Sequence, residues 1–172
     1  MEELRATEIA IQDTCILLDL VDLELLDLFF TLNLEVYTTS SVVDEIITEE
    51  HKSKVDVYLE NEQLIIDDEG LFETITELSN QFTGLSFADC SVLELAKRKD
   101  AILLSADGKL RKVSRKEGMT VRGTLWIVKV LYNEYAITLD EVKEKLNLYI
   151  SVNPRAPKKE IQKMLERLGV EE

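Results

Sequence analysis

Strand-like and helix-like segments alternate along nearly the whole of this 172-residue chain, which predicts an α/β fold with layers of helix on a central, mostly parallel sheet. Two observations support that reading. The apolar-alternating run Glu8-Ile-Ala-Ile-Gln12 and the short, buried-looking run Ala101-Ile-Leu-Leu104 have the length and pattern of strands. Longer stretches between them repeat their apolar positions at intervals of three and four, the period of a helix facing a core.

Taken in order, residues 8–12 read as a strand and 16–30 as one apolar-rich helix carrying Ile16, Leu17, Leu20, Leu23, Leu26, Phe29 and Phe30. Leu34 to Thr39 reads as the second strand. Ser40 or Ser41 is placed to cap a helix bearing Val42 to Ile47. A helix over about 52–60 leads to a third short strand, Gln63 to Asp67. Helices at about 70–81 and 86–99 precede the strand 101–104. A basic helix at about 108–117 then runs into the strand Met119 to Arg122, closed by Gly123. Three helices finish the chain, near 123–134, 138–149 and 157–168. Thr138 before Glu141 has the form of a capping box, and Asn153-Pro-Arg-Ala-Pro157 makes the break before the last helix. On this reading residues 1–150 form one domain and 151–172 a C-terminal loop and helix.

With 45% hydrophobic and 31% charged residues, the composition is that of a globular protein rather than a disordered tail. No apolar run approaches the ~20 residues of a membrane span. Met-Glu-Glu-Leu-Arg is acidic and lacks a signal-peptide core, and two cysteines make no disulfide framework, so a cytoplasmic protein is expected. The net charge of −14 argues against a simple nucleic-acid binder, but it is unevenly spread. Residues 1–94 carry 23 acidic and 3 basic side chains, whereas residues 95–130 carry 10 basic and 3 acidic ones. That basic stretch includes Lys109, Arg111, Lys112 and Arg115 and brackets Asp107, so a phosphate backbone could dock there.

Four acids stand out. Asp13 ends the first strand, Glu45 interrupts the stripe of Val42, Val43, Ile46 and Ile47, Asp89 opens a helix, and Asp107 follows the strand 101–104. Ligands of parallel α/β sheets gather at strand carboxyl ends, where this reading puts Asp13 and Asp107. Four carboxylates brought together repel unless cations neutralise them, which points to a hard divalent metal and phosphate chemistry. Each acid also has a purely structural explanation: Asp13 and Asp107 as helix caps, Asp89 in a capping box with Ser86, and Glu45 as a solvated edge.

The ordered set Asp13-Thr14-Cys15-Ile-Leu-Leu18, Val42-Val-Asp-Glu45-Ile46, Ala88-Asp89-Cys-Ser-Val-Leu-Glu-Leu-Ala96 and Ile102-Leu-Leu-Ser105-Ala-Asp107 resembles the PIN domain. This is the small α/β nuclease family that includes the VapC-type toxin ribonucleases. The continuation Leu110-Arg-Lys-Val113 and Gly123-Thr-Leu125 resembles it too, so the likeness spans roughly residues 8–130. The resemblance implies a three-layer α-β-α fold, here with extra C-terminal helices. It also implies an endoribonuclease dependent on Mg²⁺ or Mn²⁺, whose quartet Asp13, Glu45, Asp89 and Asp107 holds the metal. Thr14 and Ser105 match hydroxyl positions that support the acids. Family members are often homodimers, and toxin members are restrained by an antitoxin, here expected to be basic-tailed, whose segment enters the acidic groove. The chain departs from many relatives at Cys15, where they carry Ser or Asn. The alternative is a non-catalytic PIN-like module binding a basic protein partner or an RNA complex.

Other residues offer less. Cys15 and Cys90 have no Cys or His partners at zinc spacing and read as small hydrophobes. His51 is the only histidine, which excludes a two-histidine ribonuclease and the His-Glu-x-x-His zinc motif. Ser86 and Ser91 have no histidine to activate them. Gly84, Gly108 and Gly118 form no phosphate-binding loop. A receiver-type phosphoryl-transfer site would want an acid where Cys15 stands. Trp126, with Leu125, Ile127, Val130 and Leu131, reads as a core or dimer-facing stripe.

Overall fold

Five short strands, all parallel, form one sheet in the order β3-β2-β1-β4-β5 in a computed structural model that describes residues 8–170. They are β1 (Glu8–Gln12), β2 (Leu34–Thr38), β3 (Leu64–Ile66), β4 (Ile102–Leu104) and β5 (Val121–Arg122). Ala10 of β1 lies opposite Val36 of β2 on one side and Ile102 of β4 on the other. The chain therefore builds outward from β1 to β3, then crosses back to lay β4 against the free side of β1. That reversal makes the gap between β1 and β4 the switch point of the sheet, where a crevice opens at the carboxyl ends of the strands. Ala10, Ile11, Leu103 and Leu104 are wholly buried, as central strands covered on both faces must be.

Two helical groups flank the sheet and complete the three layers. One centres on α6 (Phe87–Lys99), which touches β1 and β4 and packs against α3 (Ser40–Asp44), α5 (Phe72–Gln81) and α7 (Gly108–Lys116). The other centres on α1 (Thr14–Asp22), packed by α2 (Leu26–Phe29), α4 (Glu49–Glu60), α8 (Thr124–Asn133) and α9 (Leu139–Val152). The last helix, α10 (Lys158–Val170), lies on α9 and buries Ile161 completely. Among the described residues no helix is long and apolar enough to cross a membrane.

Two expectations about the helices need correction. The stretch 16–30 is not one helix: Glu24 adopts φ 57°, and the Leu25 N–H closes back onto the Leu20 carbonyl at 2.8 Å. Leu23 and Leu25 are both fully buried, yet two residues apart on a helix point about 200° from each other, so only a turn lets both enter the core. The helix after β2 is capped by Thr39, not by Ser40 or Ser41, and it ends at Asp44. Thr39 accepts from the Val42 N–H at 3.3 Å and meets the Ser91 hydroxyl at 2.8 Å. Thr48 caps the next helix, leaving only a turn between. Glu45 therefore sits at the helix C-cap rather than within a continuous stripe.

The C-terminal helices are tied to α1 by one buried carboxylate. Asp19, 5% exposed, accepts from Tyr149 Oη at 2.7 Å, Asn153 Nδ2 at 2.8 Å and Thr124 Oγ1 at 2.9 Å. Burial raises the Asp19 pKa above the ordinary carboxylate value, against the pull of those three donors. With the folded value above the unfolded one, the native state keeps a proton that the unfolded chain has released, so this group's contribution to stability falls as pH rises through that window. Asp19→Ala is expected to lose about 3 kcal/mol in urea denaturation, because three donors lose their acceptor. The stability of wild type relative to Asp19→Asn is expected to improve as pH falls from neutrality toward about 4; a gap moving the other way would contradict this assignment.

Candidate active site

The site begins with the bond that joins β1 to β4. The Asp13 N–H donates to the Leu104 carbonyl at 3.1 Å, extending the ladder one residue past β1. The chain then turns from strand to helix, with Asp13 extended (φ −86°, ψ 174°) as N-cap of α1. Its Oδ1 accepts from the Ile16 N–H at 2.9 Å, and its Oδ2 takes a short hydrogen bond from the Ser105 hydroxyl. Ser105 is wholly buried, and its Oγ also accepts from the Asp107 N–H at 3.0 Å. One hydroxyl thus positions both strand-end acids. Asp13 is 3% exposed, and burial pushes its carboxyl up to about 7. The bonds from Ser105 and Ile16 pull the other way, while the charges of Asp89 and Asp107 add to the rise.

Asp107 caps α7 through its Oδ2, which accepts from the Leu110 N–H at 2.9 Å. Asp89 completes the capping box of α6: its Oδ2 accepts from the Ser86 N–H at 2.9 Å, and its own N–H donates to Ser86 Oγ at 3.0 Å. Burial raises the Asp89 pKa, and nearby Asp107 raises it further. Three acids from three elements are therefore close enough to feel one another's charge. The structural explanation and the functional one prove compatible. Each cap fixes a carboxylate by one oxygen, and Oδ1 of Asp89 and Oδ1 of Asp107 make no hydrogen bond among the described residues.

Glu45 stands apart from that trio and is exposed. It is reached through Thr14, whose hydroxyl lies 2.8 Å from Glu45 Oε2 and 3.4 Å from the Val42 carbonyl. Among the described residues, no three His, Cys, Asp or Glu side chains stand close enough together to hold a metal ion as they are placed. Cys15 is exposed at the edge of the site; partial burial of its sulfur and the carboxylates of Asp13 and Asp107 push the thiol up to about 12. It is therefore protonated at neutral pH, unlike a thiolate ligand or nucleophile.

Beside Asp107 opens a cleft of about 670 Å³. Its walls come from α7, the start of α8, the end of α9 and the turn before α10. Of the four expected RNA contacts, Arg111 and Arg115, one turn apart on α7, line it. Lys112 is exposed and lies outside the cleft, and Lys109 leans over Gly84 instead, with its Nζ 4.0 Å from where a Cβ there would sit. Arg111 donates to the Ser105 carbonyl at 3.1 Å, and its Nη1 fills the space that a Cβ on Gly123 would occupy. Glycine in the Gly123-Thr124 step therefore admits the guanidinium. Burial, and then the charge of Arg115, lower the Arg111 pKa. Trp126 and Leu125 also differ from expectation: they are half-buried cleft residues, while Ile127, Val128 and Leu131 of the same helix fill the core. Arg122 and Arg155 join the cleft as well. Arg122 belongs to the basic stretch that the sequence shows, whereas Arg155 could not be singled out, because it lies thirty-three residues beyond Arg122.

An all-parallel sheet with carboxylates from three elements gathered at its switch point defines an α/β protein with an acidic strand-end site. A PIN-domain family model matches residues 9–170, from β1 through α10, and the chain belongs to that family. PIN domains are generally nucleases and typically use divalent metal ions. No curated protein matches the chain.

The frame itself can be tested without a substrate. Ser105→Ala removes one donor from buried Asp13 and one acceptor from the Asp107 N–H. It is expected to destabilise the protein by about 2 kcal/mol in metal-free urea denaturation; an unchanged midpoint would show that the hydroxyl does not organise the two acids.

Proposed function

We propose that this chain is an endoribonuclease, dependent on Mg²⁺ or Mn²⁺, that hydrolyses RNA phosphodiesters with Asp13, Glu45, Asp89 and Asp107 as its acidic quartet. The observation that carries the reading is the convergence of Asp13, Asp89 and Asp107 at the switch point, with Asp13 buried and its carboxyl pushed up to about 7 by burial and by its acidic neighbours. Such a group is held in an environment hostile to its own charge, which a divalent cation would relieve. The donors are all carboxylate oxygens, the set a hard cation takes. Asp13 and Asp107 would hold the ion, joined directly or through water by Glu45 and Asp89. When bound, the metal would offset the negative charge that grows on the phosphodiester oxygens.

The chain's own residues set up the rest. Ser105 and the helix N–H groups orient Asp13 and Asp107, as outer hydrogen bonds do for ligating carboxylates. Glu45, steadied by Thr14, is the exposed acid, and in this reading it would orient the attacking water. Hydrolysis joins the water oxygen to phosphorus and breaks the P–O3′ bond. The electron pair leaves on O3′, which takes a proton from solvent, while Glu45 receives one from the attacking water and returns it to solvent; the products carry 5′-phosphate and 3′-hydroxyl ends. Lys109, Arg111, Lys112 and Arg115 would hold the backbone, and the proposal includes homodimers and a toxin role in which a basic-tailed antitoxin covers the acidic groove.

One observation favours the second reading, a non-catalytic module for a basic partner or an RNA complex. Phe72 and Phe87 are exposed, with ring centroids 5.7 Å apart, in a shallow pocket shared with Asp67, Asp68 and Glu94. The two readings separate on metal and cleavage. Wild type is expected to gain thermal stability with millimolar Mn²⁺ and to cleave total RNA unless EDTA is present. Asp107→Asn keeps a capping side chain, yet is expected to lose the thermal gain and to cut at least about 100-fold more slowly. No Mn²⁺-dependent rise in Tm, together with intact RNA, would overturn the nuclease reading.

A further inference from the structure

The cleft beside Asp107 is richer in positive charge than its own walls can use. Arg111, Arg115 and Arg155 line it, and none of the three forms an ion pair among the described residues. Arg122, which donates to the Val121 carbonyl at 3.3 Å, also lies on the wall, and the carboxylates of Asp107 and Glu160 stand on the rim. Guanidinium groups gathered around partly buried Arg111 repel one another, and an anion seated among them removes that repulsion. The cleft has the volume of a site for a nucleotide-sized ligand. Gly123 caps α8 without a side-chain acceptor, so the first turn of that helix presents uncapped N–H groups to the same space. Trp126 offers a half-buried aromatic face. Asp107 belongs both to the acidic site and to the cleft wall, so a strand whose phosphodiester lies over the acids leads directly into it.

We infer that this cleft seats a nucleotide flanking the cleaved bond of a single RNA strand, with its phosphate on Arg111, Arg115 and Arg155 and its base against Trp126. The identity of the strand rests on the ribonuclease reading; the phosphate chemistry of the cleft does not. The C-terminal segment that carries Arg155 then belongs to the substrate surface, and residues 122–155 set how the strand runs away from the acids.

Fluorescence anisotropy with a short labelled single-stranded RNA, in EDTA to prevent cleavage, tests the seat directly. Each phosphate contact to a single strand contributes a salt exponent of about 0.7, so losing one weakens binding about four-fold at about 0.15 M salt. Arg115→Gln and Arg155→Gln alter exposed side chains, and an unchanged Tm verifies that each variant folds. Each is expected to weaken binding by that factor and to flatten the log–log salt slope by about 0.7. Trp126→Ala should weaken binding with the slope unchanged, since stacking releases no counterions. Lys52→Gln on α4 should alter neither quantity. Unchanged affinity and slope in both arginine variants overturn the inference, as does AMP displacing the RNA at concentrations equal to those at which the RNA binds, which would make the cleft a mononucleotide site. Wild-type cleavage with an unaltered KM in the arginine variants overturns the seat and leaves the nuclease reading standing. Arginine-dependent RNA binding by a protein that never cleaves in Mn²⁺ supports the seat and overturns the nuclease reading.

Discussion

A buried carboxylate at the end of the central strand is the constraint around which this molecule is arranged. Asp13 lies where β1 and β4 part, and its charge is opposed by its surroundings, so its place must be secured by neighbours that can donate to it. Ser105 does so from the next strand and the Ile16 N–H from the helix that follows. Because Ser105 also receives the Asp107 N–H, the second acid inherits its position from the first. The strand order supplies the gap, and hydrogen bonds across that gap supply the geometry. A sheet built simply in sequence order would bury the same apolar surface and leave no crevice there.

A second buried carboxylate on the same helix extends that constraint to the C-terminal third of the chain. Asp13 stands at the start of α1 and Asp19 near its end, and the donors to Asp19 come from α8, α9 and the residue after α9. Thr124, Tyr149 and Asn153 also line the cleft, so the Asp19 network is the back of that wall. The helix that begins at the acids therefore also fixes the arginine-lined surface beside them. Both ends of α1 place polar groups where apolar packing alone would not have put them. Burial of two acids is unfavourable by itself, and their retention is coherent if each organises a separate part of one binding surface.

Most of the fold could be read from the chain because its cues are local. Strand 8–12, the capping boxes at Ser86 and Thr138 and the break at Asn153-Pro-Arg-Ala-Pro157 depend on neighbours a few residues away, and the structure bears them out. The failures lie where a distant partner decides. Leu23 and Leu25 split a helix because both must enter the core, and Thr39 outcompetes Ser40 as a cap because Ser91, fifty-two residues on, meets its hydroxyl. The strand-end acids were legible from their order and flanking patterns, and the three aspartates do come together. Glu45 ends its helix instead of lying within it, and its link to the site runs through Thr14. The cleft was legible only in part: the basic stretch around Asp107 supplies Arg111 and Arg115, but not the other walls. Arg111, Trp126 and Arg155 share a wall only after four separate elements pack, and no periodicity records that.

The uneven charge of the chain follows from the same arrangement. The acids of residues 1–94 include two of the three gathered at the switch point, and the basic block begins on α6 just after Asp89. The chain thus changes sign close to where β4 returns to β1, so the cationic helix α7 starts from Asp107 itself. A polyanion approaching most of this surface meets repulsion, and beside the acids it meets arginines. Longer-range repulsion is screened within about 8–10 Å at physiological salt, whereas contacts made inside a cleft are screened much less. The net charge of −14 is therefore no obstacle to holding a strand at this one place. On the ribonuclease reading, repulsion from the acidic surface would favour an approach on the side where the arginines stand beside the acids.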